Sequence, residues 1–188
     1  MEVLADLPAG EVLRRLRSFE LDAGITYLRE DVAEGFRTLR LYEERYALLT
    51  SMAEELARQP SAAWSEASRL PLCLLAPNLQ GRQLVDEVFT GLGLRAAPRV
   101  ETDSVPSLFA HVRTDRWASI VPYAGLHVFG VPPGMRAVPL VEPERTAPIG
   151  LVTGAREPGP VIARALLEAA RHIDTPAVLE GLPPRPGA

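Results

Sequence analysis

The stretch that decides the fold is RLPLCLLAPNLQGRQLVDEVF, residues 69–89. Its apolar run, 70–76, has the length of a buried strand and stops at Pro77 and Asn78. Apolar residues at helical spacing follow at once, and this helical pattern ends in GLGL, residues 91–94, where a glycine suits the C-terminus of a helix. A strand that enters an amphipathic helix through so short a turn is typical of α/β proteins.

The same alternation of apolar and amphipathic segments continues along the chain. The predicted strands are 2–6, 21–28, 46–50, 70–76, 97–102, 117–122, 136–141 and 149–154, and the predicted helices are 10–20, 79–92, 104–114 and 160–172. The strand at 21–28 is predicted to be buried. In the last helix the predicted apolar face consists of Val161, Ile162, Ala165, Leu166 and Ala169. We therefore predict an α/β fold with a largely parallel sheet, followed by a loose Pro-rich tail at 174–188.

Composition narrows the classes of function. A net charge of −4 over 188 residues argues against a nucleic-acid surface within this chain, because such surfaces are basic. No apolar run approaches the roughly 20 residues that cross a bilayer, and the N-terminus has neither the basic nor the apolar region of a secretory signal. We therefore predict a cytoplasmic protein with no membrane partner.

Two strand–helix junctions, LLAPNLQG and RVETDSVP, are the strongest candidate sites. If strands 72–76 and 98–102 are parallel, both junctions lie at the same edge of the sheet, where helix N-termini offer backbone N–H groups to an anion. The neutral polar side chains at these junctions are Asn78, Gln80, Thr102 and Ser104. Glu101 and Asp103 weaken the preference for an anion, and Arg82, one turn into the helix, restores it. The alternative is that Asn78 and either Asp103 or Ser104 are helix caps and nothing more.

Other chemistry has little support in the sequence. Cys73, the single cysteine, lies inside an apolar strand and is expected to be an inert core thiol. His111, His127 and His172 are too widely spaced for a metal motif. Phosphate-loop, dinucleotide-loop and nucleophile-elbow patterns are not found. We therefore predict no cofactor, no metal and no catalytic residue, and a protein that is not an enzyme.

The order of segments along the chain is similar to a known family. The segment GEVLRRLRSFELDAGITYL resembles the helix–turn–strand of LysR-type transcriptional regulators, with Phe19 where that pattern usually has Gly. The segment LYEERYALLTS resembles the family's crossover strand, and WSEASRLPLCLLAP resembles the entry to its second half. VETDSVPSLFAHVRTDRWASIVP resembles the next helix and strand, and RAVPLVEP followed by IGLVTG resembles the return crossover. The resemblance covers about residues 3–173.

This resemblance implies an effector-binding domain with the fold of type 2 periplasmic binding proteins. Two Rossmann-like subdomains would be joined by two crossover strands, with a small molecule in the cleft between them. Subdomain I would be 1–51 and 148–173, without the family's first strand and helix, and subdomain II would be 60–147. Effector binding would shift the angle between the subdomains, which requires different affinities for the two arrangements.

The family's ligand-contacting positions fall on nine residues of this chain. They are Thr26, Tyr27, Pro77, Asn78, Leu79, Gln80, Thr102, Ser104 and Pro122. The two junctions selected from helix-end chemistry are therefore among the positions that the resemblance also selects. A small anion, typically a carboxylate, is the expected effector.

The resemblance also implies partners. Members of the family form homodimers through this domain and tetramers when intact, and they bind DNA through an N-terminal winged helix-turn-helix, which this chain is expected to lack. The segment LPLCLLAPNLQGRQLVDEVF with RWASIVP further resembles the subset of regulators found beside formate dehydrogenase operons. Two other functions stay open: the solute-binding protein of a transporter, and a small α/β enzyme.

Overall fold

A computed structural model of the chain describes residues 2–5, 7–28, 35–155 and 159–179. In chain order, the helices and strands are α1 (Ala9–Arg17), β1 (Ala23–Tyr27), β2 (Phe36–Glu44), β3 (Tyr46–Ser51), β4 (Ala62–Ala63), α2 (Trp64–Ala67), β5 (Leu72–Leu75), α3 (Gln80–Gly91), β6 (Val100–Thr102), α4 (Val105–Val112), β7 (Ala118–Pro122), α5 (Tyr123–Phe129), β8 (Met135–Val141), β9 (Ala147–Gly154), α6 (Val161–Arg171) and α7 (Thr175–Leu179), with a 3-10 turn at Glu55–Arg58. The chain divides into two compact units. Unit 1 is the described part of 1–44 and 147–180, and unit 2 is 45–146.

Unit 1 is built on a three-stranded sheet in the order β1-β9-β2. Both outer strands run antiparallel to β9, so that Leu151 pairs with Ile25 on one side and with Leu39 on the other. Helix α1 covers this sheet with Val12 and Leu16, which are buried in a cluster with Phe36 and Val152. The helix lies very close to β1, because a Cβ on Gly24 would stand 2.5 Å from Cγ1 of Val12.

Three expectations for unit 1 are corrected. Its sheet is antiparallel, because β9 returns between β1 and β2. The strand predicted at 21–28 is an edge of the described sheet and not a buried strand, with Ile25 64% exposed. Helix α6 buries Ala163 and leaves the predicted apolar face at Val161, Ile162 and Leu166 exposed. A helix can approach its neighbours closely on a side that carries a small residue such as alanine. The spacing of apolar residues in the sequence does not show which side of the helix is packed in this way.

Unit 2 contains a mixed sheet in the order β4-β8-β3-β7-β5-β6. Strand β3 is antiparallel to β7 and β8, while β5 runs parallel to β6 and β7 and β4 runs parallel to β8. Residues 45–51, expected in subdomain I, therefore belong to unit 2, where β3 pairs on both sides. On one face of this sheet, Cys73, Leu49 and Val121 pack in a core cluster with Leu108 and Phe109 of α4.

The other core contact of unit 2 involves Trp64, which is almost fully buried. Its ring meets Phe89 of α3 edge-on at 6.0 Å between centroids, and its indole N–H donates a hydrogen bond of 3.0 Å to the carbonyl oxygen of Pro143. A buried tryptophan usually needs such an acceptor. The contact fixes α2 and α3 against the segment that follows β8.

Some elements differ from the sequence predictions. Strand β2 and helix α5 were not predicted, and residues 2–5 of the strand expected at 2–6 are not in a strand, while residue 6 lies outside the described residues. Part of the expected loose tail forms helix α7, and residues 180–188 of that tail lie outside the described chain.

Candidate functional site

The two predicted junctions lie side by side in unit 2. Strands β5 and β6 are parallel, as expected, and Leu75 pairs with Thr102. One residue later the N–H of Ala76 donates a hydrogen bond of 2.7 Å to the carbonyl oxygen of Thr102. Helices α3 and α4 therefore begin next to one another, at the edge of the sheet where β5, β6 and β7 end, which we call the carboxyl edge of unit 2.

A third strand–helix junction, between β7 and α5, lies beside the first two. Pro122 ends β7 and is the N-terminal cap residue of α5. A Cβ on Gly125 would lie 3.4 Å from Cγ1 of Val105 and 3.5 Å from Cγ of Pro122, so the first turns of α4 and α5 are in close contact. Ser104, which directly precedes Val105, is thereby brought near Pro122.

The polar side chains at these junctions are not used as helix caps. Helix α3 has Leu79 at its cap position, so Asn78 lies one residue before the cap and is exposed. Ser104 does occupy the cap position of α4, yet its side chain makes no capping hydrogen bond within the described chain. Its own N–H donates instead to Oγ1 of Thr102, at 3.3 Å. A capping role therefore does not account for the asparagine at position 78. For Ser104 it accounts for the position of the residue but not for its side chain.

Arg82 does not play the part expected of it. The side chain is buried, with 7% of the residue exposed, and Nη1 donates to the carbonyl oxygen of Leu75 at 2.8 Å and to Oε1 of Glu101 at 2.7 Å. Its Nε donates to Oδ1 of Asp86 at 2.9 Å. Because two carboxylates and a carbonyl surround the guanidinium, its charge is used inside the protein and adds little attraction for an anion at the surface.

An exposed arginine that the sequence predictions missed stands at the same edge. Arg45 precedes β3, whose first residue, Tyr46, pairs with Pro122. The guanidinium carbon lies 4.8 Å from the centroid of the Tyr123 ring, and the Tyr123 N–H donates a hydrogen bond of 3.0 Å to the Arg45 carbonyl oxygen. Burial raises the pKa of the Tyr123 hydroxyl, and the nearby Arg45 charge opposes that rise. The signal in the sequence that could have identified Arg45 is a charged residue placed directly before a run of buried residues.

The remaining predicted positions belong to β1 in unit 1. Thr26 is buried and pairs with Gly150, and Tyr27, which is half-buried, pairs with Ile149 at the end of the strand. Of the nine predicted residues, the seven in unit 2 therefore lie at or beside one sheet edge: they are Pro77, Asn78, Leu79, Gln80, Thr102, Ser104 and Pro122. The structure places Thr26 and Tyr27 in the other unit.

Reactive chemistry is not evident in the described residues. Cys73 is fully buried, which confirms its core position, and burial raises the pKa of its thiol to about 11. Within residues 2–5, 7–28, 35–155 and 159–179, no group of three or more His, Cys, Asp or Glu side chains could hold a metal ion. A search of the same residues finds no helix with the length and apolar character of a membrane span.

Unit 2 also has an open groove of about 710 Å³ beside the C-terminal part of α3. Glu87, Leu92 and Arg145 are among its lining residues, and Nη2 of Arg145 lies 3.2 Å from Oε2 of Glu87. None of the nine predicted site residues lines this groove. It is therefore separate from the carboxyl edge.

Comparison with known proteins identifies the family. Residues 4–173 match the LysR substrate binding domain, and the chain belongs to this family. It is 31% identical over 112 residues to a protein of Synechococcus elongatus described as a "probable nitrogen assimilation transcriptional activator". That match covers 60% of this chain and 36% of the relative, so the chain aligns with little more than a third of the relative's length.

Solved structures share the fold at low sequence identity. The effector binding domain of QuiR in complex with shikimate has a TM-score of 0.73 at 15% identity, covering 87% of this chain and 77% of that one. The BenM effector binding domain with its effector benzoate has a TM-score of 0.69 at 19% identity, covering 88% and 74%. The predicted fold, the two-subdomain α/β fold of the effector-binding domains of LysR-type regulators, is confirmed.

Proposed function

We propose that this effector-binding domain senses a small anion, such as a carboxylate, which binds at the carboxyl edge of unit 2. The observation that carries the proposal is the convergence of three strand–helix junctions there, with Asn78, Thr102 and Ser104 placed at the starts of α3 and α4. First-turn N–H groups and the positive end of a helix favour a bound anion.

The related proteins support this choice of ligand class. Shikimate and benzoate, the ligands of the two structural neighbours, each carry one carboxylate. By analogy, Thr26 and Tyr27 of unit 1 would also contact the effector, as the family resemblance implies.

For the whole protein we propose a cytoplasmic transcription regulator. Its DNA contacts would come from a winged helix-turn-helix in a longer chain, and the protein would form homodimers and, when intact, tetramers. The relative described as a transcriptional activator and the family match favour this function over the solute-binding protein of a transporter and over an enzyme. We further propose that the protein belongs to the subset of these regulators found beside formate dehydrogenase operons, which residues 70–89 and 116–122 resemble.

Calorimetric titration tests the ligand class. The 188-residue chain is titrated with formate, benzoate, shikimate and inorganic phosphate, and with formamide and benzamide as neutral analogues. We expect at least one anion to bind more tightly than its neutral analogue. If none of the anions binds, or if the amides bind equally well, an anion-sensing function is wrong.

A variant then tests the place of binding. Asn78→Asp puts a negative charge before α3, and we expect it to weaken binding of the anion about 10-fold, whereas Asn78→Ser, which stays neutral, should weaken it less. Unchanged affinity in Asn78→Asp would exclude this junction as the anion site. Circular dichroism of both variants checks that they fold.

A further inference from the structure

The groove beside the C-terminal part of α3 has three walls that are fixed to one another. The walls come from α2, from the end of α3 and from the segment that follows β8. The indole N–H of Trp64 donates to the carbonyl oxygen of Pro143, and the Trp64 ring contacts Phe89 of α3, so one buried residue connects all three. The volume of about 710 Å³ is within the roughly 300–1,000 Å³ of small-molecule sites.

Two groups of opposite charge lie side by side in the lining of this groove. Nη2 of Arg145 donates to Oε2 of Glu87 at 3.2 Å, and the two side chains are 48% and 53% exposed. A guanidinium has five N–H donors. Among the described residues, Arg145 makes no other side-chain contact, so its remaining donors are open to a ligand beside the carboxylate of Glu87.

The rest of the charge in the lining is negative. Glu142 is exposed and has no ion pair or side-chain hydrogen bond within the part of the chain that the structure describes. Gly91, another lining residue, is the last residue of α3, and the C-terminal end of a helix carries a partial negative charge. Because Arg145 balances Glu87, the groove as a whole favours a ligand that brings a positive charge.

Apolar atoms complete the lining. Val88 is buried, Leu92 is 40% exposed and Pro143 is exposed. A ligand gains free energy when its own apolar surface covers side chains of this kind. The groove therefore suits a small molecule with a charged head and an apolar body.

We propose that this groove binds an α-amino acid with an apolar side chain. The ammonium and the carboxylate of an amino acid are attached to the same carbon, so each can meet the opposite charge when they lie antiparallel to the pair of Glu87 and Arg145. Glu142 is a second partner for the ammonium, and the apolar side chain covers Val88 and Leu92. The site is separate from the carboxyl edge and does not depend on the proposed function.

Calorimetric titration of the 188-residue chain tests the class of ligand. L-leucine is compared with 3-methylbutylamine, which lacks only the carboxylate, and L-phenylalanine is compared with phenethylamine in the same way. We expect at least one amino acid to bind about 10-fold more tightly than its amine. If neither amino acid binds, or if each amine binds as tightly as its amino acid, the assignment is overturned.

Two charge variants test the place of binding. Glu142→Gln should weaken the amino acid about 3- to 10-fold, whereas Glu144→Gln, which removes the same charge from the same exposed segment but outside the lining, should change it less than about 2-fold. Arg145→Gln should weaken the amino acid but not the amine, because only the amino acid has a carboxylate for the guanidinium. Equal losses in Glu142→Gln and Glu144→Gln, or an equal loss of amine and amino acid in Arg145→Gln, would contradict this arrangement.

A steric variant tests the groove itself. A Cβ on Gly91 would meet nothing within 4 Å, so Gly91→Leu adds a side chain to the lining without a clash, and we expect it to abolish binding of the amino acid. A Cβ on Gly10, in α1 of unit 1, also meets nothing within 4 Å, and Gly10→Leu should leave the affinity unchanged. Unchanged affinity in Gly91→Leu would exclude the groove. Thermal unfolding of each variant shows that the protein measured is folded.

Displacement separates this inference from the proposed function. An excess of the anion that binds most tightly among formate, benzoate, shikimate and inorganic phosphate should not displace the amino acid. If it does, the amino acid binds through its carboxylate at the anion site, and the groove assignment is wrong. If none of these anions binds while the amino acid binds and responds to Glu142→Gln and Gly91→Leu, the proposed function fails and this inference holds.

Discussion

Nη1 of Arg82 donates a hydrogen bond of 2.7 Å to Oε1 of Glu101, which joins the first turn of α3 to β6. The same nitrogen donates to the carbonyl oxygen of Leu75, so one buried side chain connects the ends of two adjacent strands to the helix that follows the first of them. Two strand–helix junctions of the carboxyl edge are thus held at a fixed separation. A ligand that contacts both would meet a surface that is already organised.

Replacing Arg82 should therefore destabilise unit 2. In Arg82→Met the apolar stem is kept, but the carbonyl oxygen of Leu75 loses its donor and two carboxylates lose their cation. We expect the free energy of unfolding, measured with urea, to fall by about 1–3 kcal/mol. Arg145→Met, which removes an exposed pair with Glu87, should cost less than about 1 kcal/mol. Equal losses in the two variants would contradict the distinction between buried and exposed pairs.

Ser119 offers a stabilising substitution. Its side chain is fully buried on β7 beside Cys73, and its Oγ has no hydrogen-bond partner among the described residues. Because an unpaired buried hydroxyl costs free energy, Ser119→Ala should raise the free energy of unfolding by about 1 kcal/mol. In Ser68→Ala the lost Oγ donated to the carbonyl oxygen of Ser65 at 2.8 Å, so this control should be destabilised. A loss of stability in Ser119→Ala would mean that the hydroxyl is satisfied.

Two glycines in the N-terminal part of unit 1 should respond in opposite directions. In Gly24→Ala the new Cβ would meet Cγ1 of Val12 at 2.5 Å, so the Val12 side chain or α1 must shift, and we expect a loss of about 1–3 kcal/mol. Gly10 lies in α1 with nothing within 4 Å of a Cβ, and Gly10→Ala should gain up to about 1 kcal/mol from helix propensity. Urea unfolding followed by circular dichroism measures both. The packing of α1 on β1 would be refuted if Gly24→Ala cost nothing.

Cys73 should be unreactive in the folded protein. Its thiol is fully buried and burial raises its pKa from the ordinary 9.0 to about 11, so labelling by a disulfide reagent at pH 8 should require unfolding and should accelerate with urea. The folded state holds this proton more tightly than the unfolded chain does. The thiol therefore contributes stability that is present below pH 9 and is lost as the pH rises to about 11. Rapid, stoichiometric labelling without denaturant would disprove this burial.

The elements with strong periodicity were predictable from sequence. Strand β5 and helices α3 and α4 begin within two residues of the predicted positions, because an apolar run or a helical stripe of buried residues defines each of them. Strand β2 was missed because four of the nine residues of FRTLRLYEE are charged and only its first and last residues are buried, and its order comes from pairing with β9. Helix α5 has only seven residues and depends on packing at Gly125 and Leu126, which local propensity does not report.

The positions of the polar residues at the candidate site were predictable from sequence, but the arrangement of its charged side chains was not. The spacing of strands and helices placed Asn78, Thr102 and Ser104 at one edge, because parallel strands end on the same side. Sequence could not show that Arg82 turns inward, since its partners lie on β5, β6 and the next turn of α3. Nor could it pair Arg45 with Tyr123, which are brought together only by the antiparallel register of β3 and β7.

The burial of Trp64 has a spectroscopic consequence. The chain has two tryptophans, Trp64 and Trp117, and both belong to unit 2. Emission excited selectively through tryptophan therefore reports on unit 2, whereas far-ultraviolet circular dichroism records the backbone of both units. Trp64, held between Phe89 and the carbonyl oxygen of Pro143, should emit at short wavelength until that contact is broken. Comparing the two signals during denaturation separates the melting of one half of the chain from that of the whole.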